Sequence, residues 1–153
     1  MIIRDCMKTN VFSIREDELV TKAAKLFLEN HIGTLPVVNK ENKLVGILTL
    51  QCMLKITMPD FVNVVENFDF IPNFGAVRTK QPERSELFRP VHDIMKKPVF
   101  VEEDWSLIHA AAILDKEESA DIPVVSEDGI LVGLASHVDI GTGLIQQWDL
   151  DFI

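Results

Sequence analysis

Leu35-Pro36-Val37-Val38 and Ile122-Pro123-Val124-Val125 are the stretches whose reading decides the fold. Each is an apolar run of strand length, followed by a polar turn and a second apolar run. The returning runs are Leu44-Val45-Gly46-Ile47 and Leu131-Val132-Gly133-Leu134. At an offset of 87 residues, Pro36/Pro123, Val37/Val124, Val38/Val125, Leu44/Leu131, Val45/Val132 and Gly46/Gly133 are identical. The spacing predicts two hairpins. In the second, Asp128-Gly129 supplies the residue that a tight turn needs at positive φ.

The likeness extends upstream. Ile3 to Glu29 lies over Val91 to Glu117 at an offset of 88, with Asp5/Asp93, Met7/Met95, Lys8/Lys96, Val11/Val99, Phe12/Phe100, Leu19/Leu107, Ala23/Ala111 and Leu26/Leu114 identical. In that register a short extended piece, Val11-Phe12-Ser13 or Val99-Phe100-Val101, precedes an acidic cluster and then a helix. The helix core positions are expected at Leu19, Val20, Ala23, Leu26 and Phe27, and at Leu107, Ile108, Ala111, Ala112 and Leu114. A final helix is expected to open at Thr49 and at Ser136, and Gly141-Thr142-Gly143 to stop or kink it. The unit is β-α-β-β-α. One such unit of about 50 residues could hardly cover its small sheet, whereas two packed together can. The fold class is therefore α/β (α+β): two units related by a pseudo-two-fold axis. The expected boundaries are 1–55 for the first, 56–88 for an insert and 89–153 for the second.

Composition narrows the function. The 153 residues carry 15 Lys and Arg against 24 Asp and Glu, a formal charge of −9. That excess of acid argues against nucleic acid and against an anionic membrane surface as partners. No apolar run reaches the roughly 18–20 residues that span a bilayer. The start, Met1-Ile2-Ile3-Arg4-Asp5, lacks a signal-peptide apolar stretch, so a cytoplasmic location is expected. Cys6 and Cys52 are the only cysteines and are expected to be reduced. His31, His92, His109 and His137 show no metal spacing. No nucleophile–base pair or paired catalytic carboxylates appear, so an enzyme is not expected.

The duplicated stretches together resemble a tandem pair of cystathionine-beta-synthase (CBS) domains, a Bateman module. They are Arg4-Asp5-Cys6-Met7, Leu35-Pro36-Val37-Val38 and Leu44 to Thr49 in the first copy. In the second they are His92-Asp93-Ile94-Met95, Ile122-Pro123-Val124-Val125 and Leu131 to Asp139. The resemblance covers about 100 of the 153 residues. It implies a regulatory module that needs no cofactor, takes an adenosine-containing ligand between the copies, dimerises and signals to a separate protein. The ligand would be AMP, ADP, ATP or S-adenosylmethionine, with Mg²⁺ as an escort for the more highly phosphorylated ones.

The resemblance also implies site residues. A Ser or Thr opens the last helix and an Asp three residues on accepts hydrogen bonds from the two ribose hydroxyls. The second copy has both, Ser136 and Asp139, whereas the first has Thr49 but carries Cys52 in place of the acid. Carried over by position, the main cleft would hold Ile3, Arg4, Ile32, Gly33, Thr34, Pro36, Ser136, His137 and Asp139. Arg4 would meet a phosphate, and Ile3 and Ile32 would sandwich the adenine. A weaker cleft would hold Thr49, Val91, His92, Ala120, Asp121 and Ile122. Read on its own, Ser136-x-x-Asp139 is equally a helix capping box. The alternative function is a ligand-free scaffold that works by dimerisation and docking.

The insert holds five of the nine phenylalanines, with Phe61, Val62, Val64, Val65 and Phe68 spaced as one helix face. Arg78 to Glu86 reads as a loop. The tail, with Trp148, Leu150, Phe152 and Ile153, is apolar enough to dock. Residues 1–88 are neutral, with 11 basic and 11 acidic side chains, whereas residues 89–153 carry 4 and 13. The charge of the second copy favours a ligand with few negative charges, such as AMP or S-adenosylmethionine.

Overall fold

A computed structural model describes residues 1–58, 81–117 and 119–151. The first copy contains β1 (Ile14–Arg15), α1 (Val20–Asn30), β2 (Thr34–Val38), β3 (Leu44–Thr49) and α2 (Leu50–Thr57). After a short helix α3 (Arg84–Leu87), the second copy repeats the order. It contains β4 (Val101–Glu102), α4 (Leu107–Glu117), β5 (Asp121–Val125), β6 (Leu131–Ser136) and α5 (His137–Ile145). Each copy builds a three-stranded sheet, β1-β2-β3 or β4-β5-β6, with a parallel pair followed by an antiparallel hairpin.

The hairpins form as their sequences demand. Thr34 pairs with Thr49 and Asp121 with Ser136, while Val37 faces Gly46 and Val124 faces Gly133. The turns place Gly129 at φ +83° and the equivalent Asn42 at φ +61°, two residue types that tolerate the left-handed region. The tips then pair with each other, as Leu44 N–H donates to Gly129 and Leu131 N–H to Asn42.

The two cores exchange residues. One contains Ile14, Ala23, Phe27, Leu35, Val37, Leu48 and Cys52 from the first copy, together with Val91 from the second. The other contains Val101, Leu107, Ala110, Leu114, Ile122, Val124, Ala135 and Ile140, together with Ile3 from the first. Backbone bonds carry the exchange symmetrically. Ile3 N–H donates to Trp105 and Arg4 N–H to Glu103, just as Val91 N–H donates to Glu18 and His92 N–H to Glu16. Each lead segment also adds a strand-like bridge to the other copy's hairpin, Lys8 on Leu134 and Lys96 on Ile47.

This packing corrects the helix register read from identities. The buried positions are Val20, Ala23 and Phe27 in α1, and Leu107, Ala110 and Leu114 in α4. They match at an offset of 87, not 88. Leu19 is 38% exposed and Ile108 is 70% exposed. The extra residue of the first copy falls between Lys8 and Ile14, where Thr9, Asn10 and Phe12 lie at the surface and absorb it. The short strands accordingly sit at Ile14–Arg15 and Val101–Glu102, displaced from Val11-Phe12-Ser13 in the first copy.

Gly141 and Gly143 do not stop α5, which continues to Ile145. A Cβ on Gly143 would lie 2.8 Å from Leu107 Cδ1, so this glycine admits α4 at close range. The stretch read as a polar loop contains the start of α3, where Glu83 N–H donates to the Glu86 carboxylate at 2.9 Å. The expected aromatic helix at Phe61–Phe68 lies outside the described residues, as do Phe152 and Ile153. Trp148 and Leu150 are exposed on this chain rather than docked.

Candidate functional site

A cleft of about 380 Å³ opens between the copies. Gly33 and Thr34 line it from the first copy and Ala120 and Asp121 from the second. These pairs are equivalent at an offset of 87, so the cleft lies where the pseudo-two-fold relation brings like segments together. The strand pairing explains the rest of the first copy's side. Thr34 sits opposite Thr49, so the hydroxyl that opens α2 reaches the same cleft. Lys96 enters because its backbone is hydrogen-bonded to Ile47 in both directions, at 2.8 and 3.0 Å, and Lys97 follows it. Val99, Ile113 and Ile122 add an apolar wall; Glu117 and Asp121 add carboxylates.

Thr49 caps α2 by accepting from Cys52 N–H at 3.4 Å, and its hydroxyl also lies 3.4 Å from the Cys52 thiol. Cys52 itself is buried, and both cysteines are free thiols. Leu50 N–H donates to the Gly33 carbonyl, and His137 N–H to the Ala120 carbonyl. Each final helix is thus tied to the residue just before its own β2 or β5.

Ser136 and Asp139 form the full reciprocal cap. Asp139 N–H donates to Ser136 Oγ at 3.0 Å, and Ser136 N–H and Oγ–H donate to the Asp139 carboxylate at 2.9 and 2.7 Å. Lys8 Nζ completes the group, 3.6 Å from the same carboxylate. Burial pushes the Asp139 carboxyl upward, but the Ser136 hydroxyl, the Ser136 N–H and Lys8 outweigh it and hold it below the ordinary value. Burial, aided by the charges of Asp139 and Asp5, pushes the nearby Cys6 thiol up.

The sequence-predicted residues divide three ways. Gly33, Thr34, Thr49, Ala120, Asp121 and Ile122 converge on the open cleft, although the sequence reading assigned the first two to the Ser136 side. Ser136, His137 and Asp139 stand at the start of α5 and are not part of that cleft's lining. Ile3 and Val91, expected on cleft walls, are each fully buried in the opposite copy's core. Pro36 is buried within β2 opposite Ile47, and Ile32 packs against the first core. Arg4 is exposed and paired with Glu103 at 3.2 Å, and His92 with its neighbour Asp93 at 3.0 Å. Lys96 and Lys97 were missed. The identity of Lys8 with Lys96 was visible, but the strand exchange that turns each lysine toward the other copy's final helix was not.

Among the described residues no three His, Cys, Asp or Glu side chains converge as a metal centre would require. None of their helices is long and apolar enough to cross a membrane.

Comparison with known proteins agrees with this architecture. The model of the CBS domain family matches residues 3–58 and 91–141. An uncharacterized protein of Methanocaldococcus jannaschii, MJ1426, is 29% identical over 95% of this chain and 92% of its own length. Homoserine O-acetyltransferase of Methanosarcina acetivorans is 24% identical over 92% of this chain, but the chain spans only 21% of that enzyme. Among solved structures, CBSX2 in complex with AMP superposes with a TM-score of 0.70 at 22% identity, covering 95% of this chain and 96% of the other. The CBS domain pair of protein MJ0100, in complex with 5′-methylthioadenosine and S-adenosyl-L-methionine, superposes with a TM-score of 0.68 at 19% identity, covering 97% and 98%.

Proposed function

The chain belongs to the CBS-domain family, and from that premise we propose that it is a regulatory module that binds an adenosine-containing ligand between its two copies. The observation that carries this reading is the cleft of about 380 Å³. Its size falls within the roughly 300–1,000 Å³ of small-molecule sites. It also combines an apolar wall with a few convergent polar groups. Val99 and Ile113 offer surface to an adenine ring, and Thr49, Asp121 and the backbone around Gly33 and Ala120 offer donors and acceptors to its edge and to a ribose. AMP in CBSX2, and 5′-methylthioadenosine and S-adenosyl-L-methionine in MJ0100, indicate the ligand class that this fold accepts elsewhere.

Ser136, His137 and Asp139, with Arg4 and Ile32 on the other copy, are a second position of the same kind. Ligand there must displace Lys8 from the Asp139 carboxylate. ADP or ATP would enter either position with Mg²⁺ offsetting the acidic second copy.

The module acts through other proteins, as a homodimer and on a separate regulated partner, and not as a catalyst. The exposed apolar residues of the two final helices support self-association: Leu50 and Leu54 on α2, Val138 and Ile145 on α5. The same residues, with exposed Phe88 and Trp148, support a scaffold reading in which docking is the whole function.

A thermal-shift series with AMP, ADP, ATP and S-adenosylmethionine, each with and without Mg²⁺, decides between the two. A ligand at about 100 times its Kd stabilises by about 2.7 kcal/mol. That corresponds to about 5–10 °C for a domain of this size. The absence of any shift at millimolar concentration would remove the ligand reading and leave the scaffold. Light scattering on the eluting chain gives the oligomeric state; a monomer at every concentration would refute self-association.

A further inference from the structure

We infer that the chain meets a second copy of itself in a crossed arrangement, with Leu54 on α2 of one protomer entering a notch at Gly141 on α5 of the other. This rests on the self-association proposed above and adds which faces meet: the first repeat of each chain against the second repeat of its mate.

Gly141 lies in the interior of α5, where glycine is a weaker helix former than alanine. A Cβ built on it meets nothing within 4 Å, whereas a Cβ on Gly143 would meet Leu107 at 2.8 Å. Packing within the chain therefore accounts for Gly143 and not for Gly141. The first-repeat equivalent of Gly141, at the offset of 87, is Leu54, which is 52% exposed. Leu54 is the middle of an exposed apolar row, Leu50, Leu54 and Met58, one turn apart along α2. The matching row on α5 is His137, Gly141 and Ile145, with its middle position empty. A ridge on one helix and a gap of the same spacing on the other interdigitate.

Charge separates the two faces in the same sense. α1 and α2 cover one core, and α4 and α5 cover the other. The first helix pair carries Lys22, Lys25 and Lys55 against Glu29; the second carries Asp115, Glu117 and Asp139 against Lys116. Glu29 and Lys116 occupy equivalent positions with opposite sign. In a two-fold dimer a face meets either itself or, twice over, the other face. Like against like would oppose the lysines to one another, set Leu54 against Leu54 and leave a void between two Gly141 residues. The crossed arrangement pairs unlike charges and fills the notch in both interfaces.

Cysteine cross-linking of the full chain tests this. Chains carrying Lys55→Cys and chains carrying Thr142→Cys are oxidised separately and after mixing in the reduced state, with the wild type as the control for Cys6 and Cys52. Lys55 and Thr142 are exposed and equivalent at the offset of 87. A disulfide-linked dimer is expected in the mixture and in neither variant alone. Gly141→Leu is expected to weaken the dimer at least tenfold in sedimentation equilibrium with its far-ultraviolet circular dichroism unchanged, and Leu54→Ala added to it is expected to restore association. Cross-linking of Lys55→Cys alone overturns the inference while self-association stands. So does a chain that is dimeric by light scattering and cross-links in no sample, or a Gly141→Leu variant that associates as the wild type does. A wild type that is monomeric at every concentration removes both readings and leaves these faces to another occupant.

Discussion

Met7 of the first copy rests directly on Gly133 of the second: a Cβ built on Gly133 would stand 2.6 Å from the Met7 sulfur. The relation is reproduced by Met95 on Gly46. Each lead segment crosses the other copy's hairpin at the glycine of its second strand, which is why Met and Gly recur together in both repeats. Gly133→Ala is expected to cost about 1–3 kcal/mol through overpacking. The two sites should respond differently to trimming the methionine. At Gly46 the nearest remaining atom is the Lys96 carbonyl at 3.2 Å, whereas at Gly133 the Lys8 carbonyl lies at 2.9 Å. Met95→Ala should therefore rescue Gly46→Ala more fully than Met7→Ala rescues Gly133→Ala. Urea midpoints of the two double-mutant cycles measure this.

The exchange of core residues predicts that neither copy folds alone. Residues 1–55 lack Val91, and residues 89–153 lack Ile3, each fully buried in the other's core. Far-ultraviolet circular dichroism of the separate pieces should show unfolded chains, and mixing them should restore structure. In the full chain, Ile3→Ala is expected to cost about 2–5 kcal/mol, the usual loss for a buried large aliphatic side chain. A cost below half of that range would mean that the lead segment is dispensable.

Asp139 should make stability depend on acid pH. Its folded carboxyl sits below the ordinary value of 3.8 because Ser136 and Lys8 outweigh the effect of burial. The contribution is therefore complete above that value and is lost as pH falls through the lower folded one. Asp139→Asn should destabilise by about 0.5–2 kcal/mol at neutral pH, the range of a lost helix cap. It should also flatten the loss of stability seen in the wild type below about pH 4. A variant whose acid profile parallels the wild type would show that other carboxylates govern that limb.

The helix register can be tested by substitution. Ala110 is fully buried and Ile108 is 70% exposed, although the identity-based alignment places Ile108 in the core. Ile108→Ser should change stability by less than about 0.5 kcal/mol, as exposed positions do. Ala110→Leu should cost about 1–3 kcal/mol. The reverse ranking in denaturant titrations would restore the register at an offset of 88.

Most of the fold was legible because its signals are local. Apolar runs of strand length, the Asp128-Gly129 turn and the Thr49 and Ser136 caps act over a few residues, and all appear where the sequence places them. The helix register was misread because identities at Leu19/Leu107 and Ala23/Ala111 reward the wrong alignment. Burial, which sets the true one, depends on what packs against each helix. Of the candidate site, the hydroxyl-bearing helix starts and the Gly33-Thr34 and Ala120-Asp121 stretches could be named in advance. Their sharing of one cleft could not, because it follows from pairing across two sheets.

The amino-acid sequence by itself determined that this protein is a duplicated β-α-β-β-α unit, and that one copy carries an acid where the other carries Cys52. Propensity, turn chemistry and repetition are properties of the chain read in order. Only the tertiary structure decided that Ile3 and Val91 change sides, that Lys8 closes on Asp139, and that Lys96 and Lys97 face the open cleft. Those outcomes join residues far apart in the chain, such as Lys8 and Asp139, 131 positions from each other. Their cause is the burial of two small sheets that neither copy can cover with its own residues.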